Sequence, residues 1–85
     1  MISSGIVEID LHGCRVDEAQ KKVEAAIRSA HPSVYRIRVI HGYHGGTAIA
    51  SMIRREFGYG LEPKVLRIVA GTNQGITELV LREYS

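Results

Sequence analysis

Apolar and polar residues alternate with period two in four short stretches of the chain, the pattern of strands with one face covered and one face wet. In the first, Val7, Ile9 and Leu11 fall on one side and Glu8 and Asp10 on the other. The second sets Tyr35, Ile37 and Val39 against Arg36 and Arg38, and the third, Val65 to Ala70, is nearly all apolar around Arg67. The fourth sets Leu79 and Leu81 against Glu78 and Arg82. Between the first two stretches, Val16, Ala19, Val23, Ala26 and Ile27 recur at helical steps among good helix formers, which predicts an amphipathic helix ended by His31 and Pro32. A second helix is predicted from Thr47 to Phe57, with Ile49, Met52, Ile53 and Phe57 on one stripe, Thr47 as its cap, and Gly58 and Gly60 beyond its end. Gly71 to Gly75 reads as the turn of a closing hairpin.

The order is strand, helix, strand, helix, strand, strand. Right-handed crossovers and wet strand faces put both helices on one side of the sheet. The expected fold is α/β, a two-layer βαβαββ sandwich with a four-stranded mixed sheet and an open face carrying Glu8, Asp10, Arg36, Arg38 and Arg67. At 85 residues, 45% of them hydrophobic and 24% charged, the chain has room for one core, so residues 1–85 are expected to form a single domain. Every apolar run is interrupted well short of a membrane span. Cys14 is the sole cysteine and the start has no export signal, so a reducing, cytoplasmic location is expected. The net charge is only +2, yet no acid lies between Glu24 and Glu56, a window holding Arg28, Arg36, Arg38, Arg54, Arg55, His31, His41 and His44. The middle of the chain is therefore a cationic surface suited to phosphate, unless acids from elsewhere in the fold neutralise it.

Two strands close on a His-Gly pair, His12-Gly13 and His41-Gly42. In parallel neighbours about 4.8 Å apart, both pairs lie at the carboxyl edge, where open α/β sheets bind ligands, and two imidazoles are expected to face one crevice. The turn Gly42-Tyr43-His44-Gly45-Gly46-Thr47 opens onto a helix and reads either as an anion cradle or as a tight connection that needs glycine. Asp10 and His12 share parity and fall on one face. They offer a carboxylate and an imidazole to one water or divalent cation, or else Asp10 pairs with Arg36 or Arg38 across the sheet. Tyr43 either stacks on a base or packs on a helix end.

These residues resemble the small MutS-related domain, Smr. Its Leu-Asp-Leu-His-Gly motif is matched by Ile9-Asp10-Leu11-His12-Gly13, and its His-Gly-x-Gly-x-Gly motif by His41-Gly42-Tyr43-His44-Gly45-Gly46. His44 stands where the family has its middle glycine, and Ile49-Ala50 replaces its Leu-Arg. The resemblance implies a βαβαββ fold, nucleic-acid work on DNA or RNA with the ribosome as a further partner, and divalent metal. It also implies that such a domain often stands as the C-terminal part of a larger protein. The expected function is a metal-assisted endonuclease, with a non-catalytic module for RNA, ribosome or branched DNA as the alternative. Asp10, His12 and His41 are the expected catalytic residues, with Asp10 also holding Mg²⁺ or Mn²⁺. Gly13, Gly42, Tyr43, His44, Gly45, Gly46, Thr47, Arg36, Arg38 and Arg54 are the expected phosphate contacts.

Overall fold

The computed structural model describes residues 2–3, 5–42 and 46–83. Its elements, in chain order, are β1 (Ile2–Ser3), β2 (Ile6–Asp10), α1 (Val16–Ser29), β3 (Arg36–Ile40), α2 (Gly46–Phe57), β4 (Arg67–Ala70) and β5 (Ile76–Val80). The predicted βαβαββ order is present as β2-α1-β3-α2-β4-β5, a mixed sheet in the spatial order β2-β3-β5-β4. β1 adds a two-residue antiparallel edge beside β2. β2 and β3 are parallel, while β5 runs antiparallel to both β3 and β4. The α2 crossover thus leaves a one-strand gap between β3 and β4, and the closing hairpin fills it with β5. β5 is the most enclosed strand, with Thr77, Glu78, Leu79 and Val80 all buried.

Local chemistry sets the helix limits. Glu18 accepts the Arg15 backbone N–H at 3.1 Å, and Asp17 and Glu18 in the first turn with Arg28 in the last complement the dipole of α1. α2 begins at Gly46, so Thr47 lies inside the first turn rather than in the capping position expected of it. At the far end the Gly58 N–H donates to Arg54 O at 3.1 Å. A Cβ on Gly58 would come within 2.6 Å of that same oxygen, which is why the helix stops on glycine.

Both helices cover one face of the sheet. Ala19, Val23 and Ile27 of α1 and Ile49, Met52, Ile53 and Phe57 of α2 share one core with Ile37, Val39 and Leu79. The register Val7↔Ile37, Ile37↔Leu79 and Ile68↔Leu79 puts these sheet residues on that same side. No helix among the described residues is long and apolar enough to cross a membrane.

The opposite face carries a row of charge, because Glu8 pairs in register with Arg38 and Arg38 with Glu78. Arg38 Nε donates to Glu78 Oε2 at 2.9 Å and its Nη1 to Glu8 Oε2 at 3.1 Å, while Arg36 Nη1 donates to Glu78 Oε1 at 2.5 Å. Burial pushes the Glu78 carboxyl up, but the hydrogen bonds from Arg38 and Arg36, with their charges, outweigh it and hold the group below its usual range. The Glu78 and Glu8 carboxylates in turn raise Arg38. Acids from elsewhere in the fold therefore neutralise much of the cationic middle of the chain on this face, and Arg67 is likewise matched by Glu83 at 2.7 Å.

Glu78 has a depressed native pKa, so the stability it contributes is fully present above the unfolded carboxyl value of about 4.3 and is lost as pH falls through the lower native value. Glu78→Gln is expected to cost roughly 1–3 kcal/mol at pH 7 in urea denaturation, less than for a fully enclosed pair because both arginines reach water. The gap between wild type and variant is expected to close as the pH falls below about 4. A gap that stays constant down to pH 2 would show that the carboxylate charge contributes nothing.

Candidate functional site at the carboxyl edge of the sheet

The two His-Gly turns meet because β2 and β3 are parallel and end together, with Asp10 opposite Ile40 and the Leu11 N–H donating to Ile40 O at 2.7 Å. Beyond the strands the chain reverses through left-handed glycines, Gly13 at φ +80 and Gly42 at φ +84. A Cβ on Gly42 would lie 3.6 Å from His12 Cβ, so the two turns are immediate neighbours. The β4–β5 loop closes the edge from the other side. The Gly75 carbonyl accepts both the His41 N–H at 2.9 Å and the Gly42 N–H at 3.0 Å, and Asn73 Oδ1 holds the Gly75 N–H at 2.8 Å.

His12 is exposed and tied to Asp10. Asp10 Oδ1 accepts the His12 ring Nδ1–H at 2.6 Å and the His12 backbone N–H at 3.1 Å. With both arginines engaged by Glu78 and Glu8, the alternative in which Asp10 pairs with Arg36 or Arg38 is not the one adopted. The hydrogen bond to His12 lowers the Asp10 carboxyl, and the same bond with the carboxylate charge raises the His12 imidazole. Once Nδ1–H is committed, Nε2 is the ring atom left to give or take a proton.

His41 is the opposite case and corrects the expectation that two imidazoles open on one crevice. It is buried, only 3% exposed, and both ring nitrogens are engaged. Nε2 lies 2.8 Å from the Thr77 hydroxyl and Nδ1 is 3.1 Å from the Gly42 carbonyl. In the neutral ring, Nδ1–H donates to that carbonyl and Nε2 accepts from Thr77. The reason is strand parity: His41 continues the inward series Ile37, Val39, whereas His12 continues the outward series Glu8, Asp10. His41 is thus enclosed while His12 stays in water, and His41 holds the Gly42 turn against β5. Thr77 carries no motif of its own. Its parity with Leu79, which places a hydroxyl among core residues, is the one sequence signal for it.

Beside His41 a groove of about 450 Å³ runs between α2 and the β4–β5 loop, lined by residues that include His41, Gly42, Thr47, Arg54, Asn73 and Thr77. Arg54 has no acid partner among the described residues, unlike Arg36 and Arg38, which face the far side of the sheet. The Gly42 N–H, expected among the anion donors, is committed to Gly75 instead. Gly46 and Thr47 open α2 at the groove, and Gly13 has open space around it. Tyr43, His44 and Gly45 lie outside the described residues. No cluster of three His, Cys, Asp or Glu donors occurs among the described residues, and Asp10 Oδ1 is occupied by His12. Asp10 Oδ2 and His12 Nε2 are the donors of this pair left uncommitted.

Comparison with known proteins matches this arrangement to one family. The family model described as "Smr domain" matches residues 9–74, from the end of β2 through the turn with His12 to the β4–β5 loop. The crystal structure of the Smr domain of Thermus thermophilus MutS2 superposes with a TM-score of 0.69 at 28% identity, covering 91% of this chain and 99% of that one. Comparison with curated protein sequences finds no match. The matched region spans more than half of the chain and holds both His-Gly turns, so the chain belongs to the Smr domain family.

Proposed function

We propose that this Smr domain binds nucleic acid along the carboxyl edge of its sheet and cleaves a phosphodiester bond there. The exposed Asp10–His12 pair carries the reading, because it presents one oriented acid-base atom beside a glycine turn that a backbone phosphate can approach. His12 Nε2 takes the proton from the attacking oxygen, a water or a ribose hydroxyl, as that oxygen bonds to phosphorus. The bond to the leaving oxygen then breaks, and the imidazolium returns its proton to that oxygen. Asp10 fixes the tautomer and stabilises the imidazolium. His41 and Thr77 hold the Gly42 turn in place. Arg54, at the groove, offsets phosphate charge. A divalent metal such as Mg²⁺ or Mn²⁺ would be held by Asp10 Oδ2 together with substrate phosphates, whose charge it would offset.

Binding to RNA, ribosome or branched DNA without cleavage is the second reading. The burial of His41 favours it, since one of the two expected acid-base groups is withdrawn from the surface.

Supercoiled plasmid and structured RNA, incubated with the purified domain with and without Mg²⁺ or Mn²⁺, separate the two readings. Cleavage is expected to fall by 10² or more in His12→Ala and in Asp10→Ala, the usual worth of an acid-base group. Cutting by the wild type no faster than by the double variant removes the nuclease reading. If affinity then falls steeply between 50 and 200 mM salt, the binding module is what remains.

The pH dependence has a definite sign. A general base acts in its neutral form and Asp10 raises the His12 pKa, so the rate is expected to climb with pH to a plateau whose midpoint lies above the ordinary imidazole value of about 6.5. In Asp10→Asn the midpoint should move down. Titration of the His12 ring by NMR reads the same shift directly, and an unchanged midpoint would show that the carboxylate does not govern this ring.

A further inference from the structure

The turn after α2 holds an aromatic side chain that the fold does not use. Tyr59 sits at φ +57, a left-handed conformation unfavourable for a bulky residue, between Gly58 and Gly60. Its side chain is 89% exposed, so no burial offsets the strain. A strained residue that packing does not require points to a surface use. Tyr59 borders a shallow groove of about 280 Å³ with Leu66, Arg67 and Arg54 among its walls. Leu66 is also exposed, at 56%. Arg54 lines this groove and the one at His41 and Thr77 as well, so a single cation joins the two. The groove falls just short of the usual range for drug-sized ligands and suits a flat fragment better.

We propose that Tyr59 is a stacking platform for one unpaired nucleobase of the strand whose backbone passes Arg54 to reach His12. The inference rests on the reading of the carboxyl edge as a nucleic-acid site and adds the substrate class: a nucleic acid with a single-stranded segment several nucleotides from the reacting phosphate, because Arg67 is level with Arg36 at the amino end of the sheet and β4 lies on the far side of the sheet from β2. An exposed aromatic ring beside cationic side chains is the arrangement by which proteins hold single strands, with the ring taking the base and the cations the backbone. Arg67 is shared with the exposed Glu83, and that pair can open towards phosphate at little cost. A duplex cannot use the platform, because its bases are stacked on one another.

Two oligonucleotides of equal phosphate count, one fully paired and one with an unpaired tract, are titrated against wild type, Tyr59→Phe and Tyr59→Ala. The expected result is about a tenfold or greater loss of affinity for the unpaired tract in Tyr59→Ala, retention in Tyr59→Phe, and no change for the duplex. Equal affinity of wild type and Tyr59→Ala for the unpaired tract overturns the inference and leaves the carboxyl-edge reading standing, provided Arg54→Ala still weakens both substrates. Binding of neither oligonucleotide by wild type overturns both. Self-association in sedimentation velocity that depends on Tyr59, without discrimination between the oligonucleotides, assigns the patch to a second copy of the chain and overturns the inference. The side chain is almost wholly solvated, so both Tyr59 variants are expected to fold.

Discussion

A strand sends successive side chains to opposite faces, and here both helices cover one of those faces. That constraint governs the carboxyl edge as firmly as it governs the core. The inward series Ile37, Val39 ends on His41, which must find partners inside the protein, and Thr77 on the neighbouring strand supplies one. The outward series Glu8, Asp10 ends on His12, which stays in water with its carboxylate two residues away. Two turns with the same residue pair thus differ in their surroundings, one ring enclosed and bonded within the protein and the other exposed to water.

The same division explains the charges. The wet face is not a bare cationic surface, because β5 carries Glu78 between Arg36 and Arg38. A carboxylate so enclosed is tolerable only with two hydrogen-bonding guanidinium groups, and they lower its pKa against the pull of desolvation. Away from that face, on α2, Arg54 has no acid partner among the described residues and lines both the groove at His41 and the one at Tyr59.

Much of the fold was legible in the residues. The period-two strands, the stripes Ala19, Val23, Ile27 and Ile49, Met52, Ile53, Phe57, and the hairpin turn at Gly71 to Gly75 all appear where their spacing put them. The Asp10–His12 pair was legible too, since its members are two residues apart on one strand end. Thr47 falls at the second residue of α2 rather than at its cap, the kind of displacement to which helix ends are prone. The expectation for His41 erred more deeply. A His-Gly pair looks alike wherever it occurs, and its parity acquires meaning only once the covered face is known.

Contacts between residues close in the chain were settled by the order of amino acids alone: which segments are strands or helices, which side of each is apolar, and that Asp10 can orient His12. Strand order was not. The insertion of β5 between β3 and β4 brings Thr77 to His41, Glu78 to the two arginines and Gly75 to the Gly42 turn, and each contact joins residues more than thirty positions apart. Local spacing dictates conformation through steric and solvation effects within a few residues. Partner choice across a sheet depends on how the whole chain closes its core, and only the tertiary structure decides that.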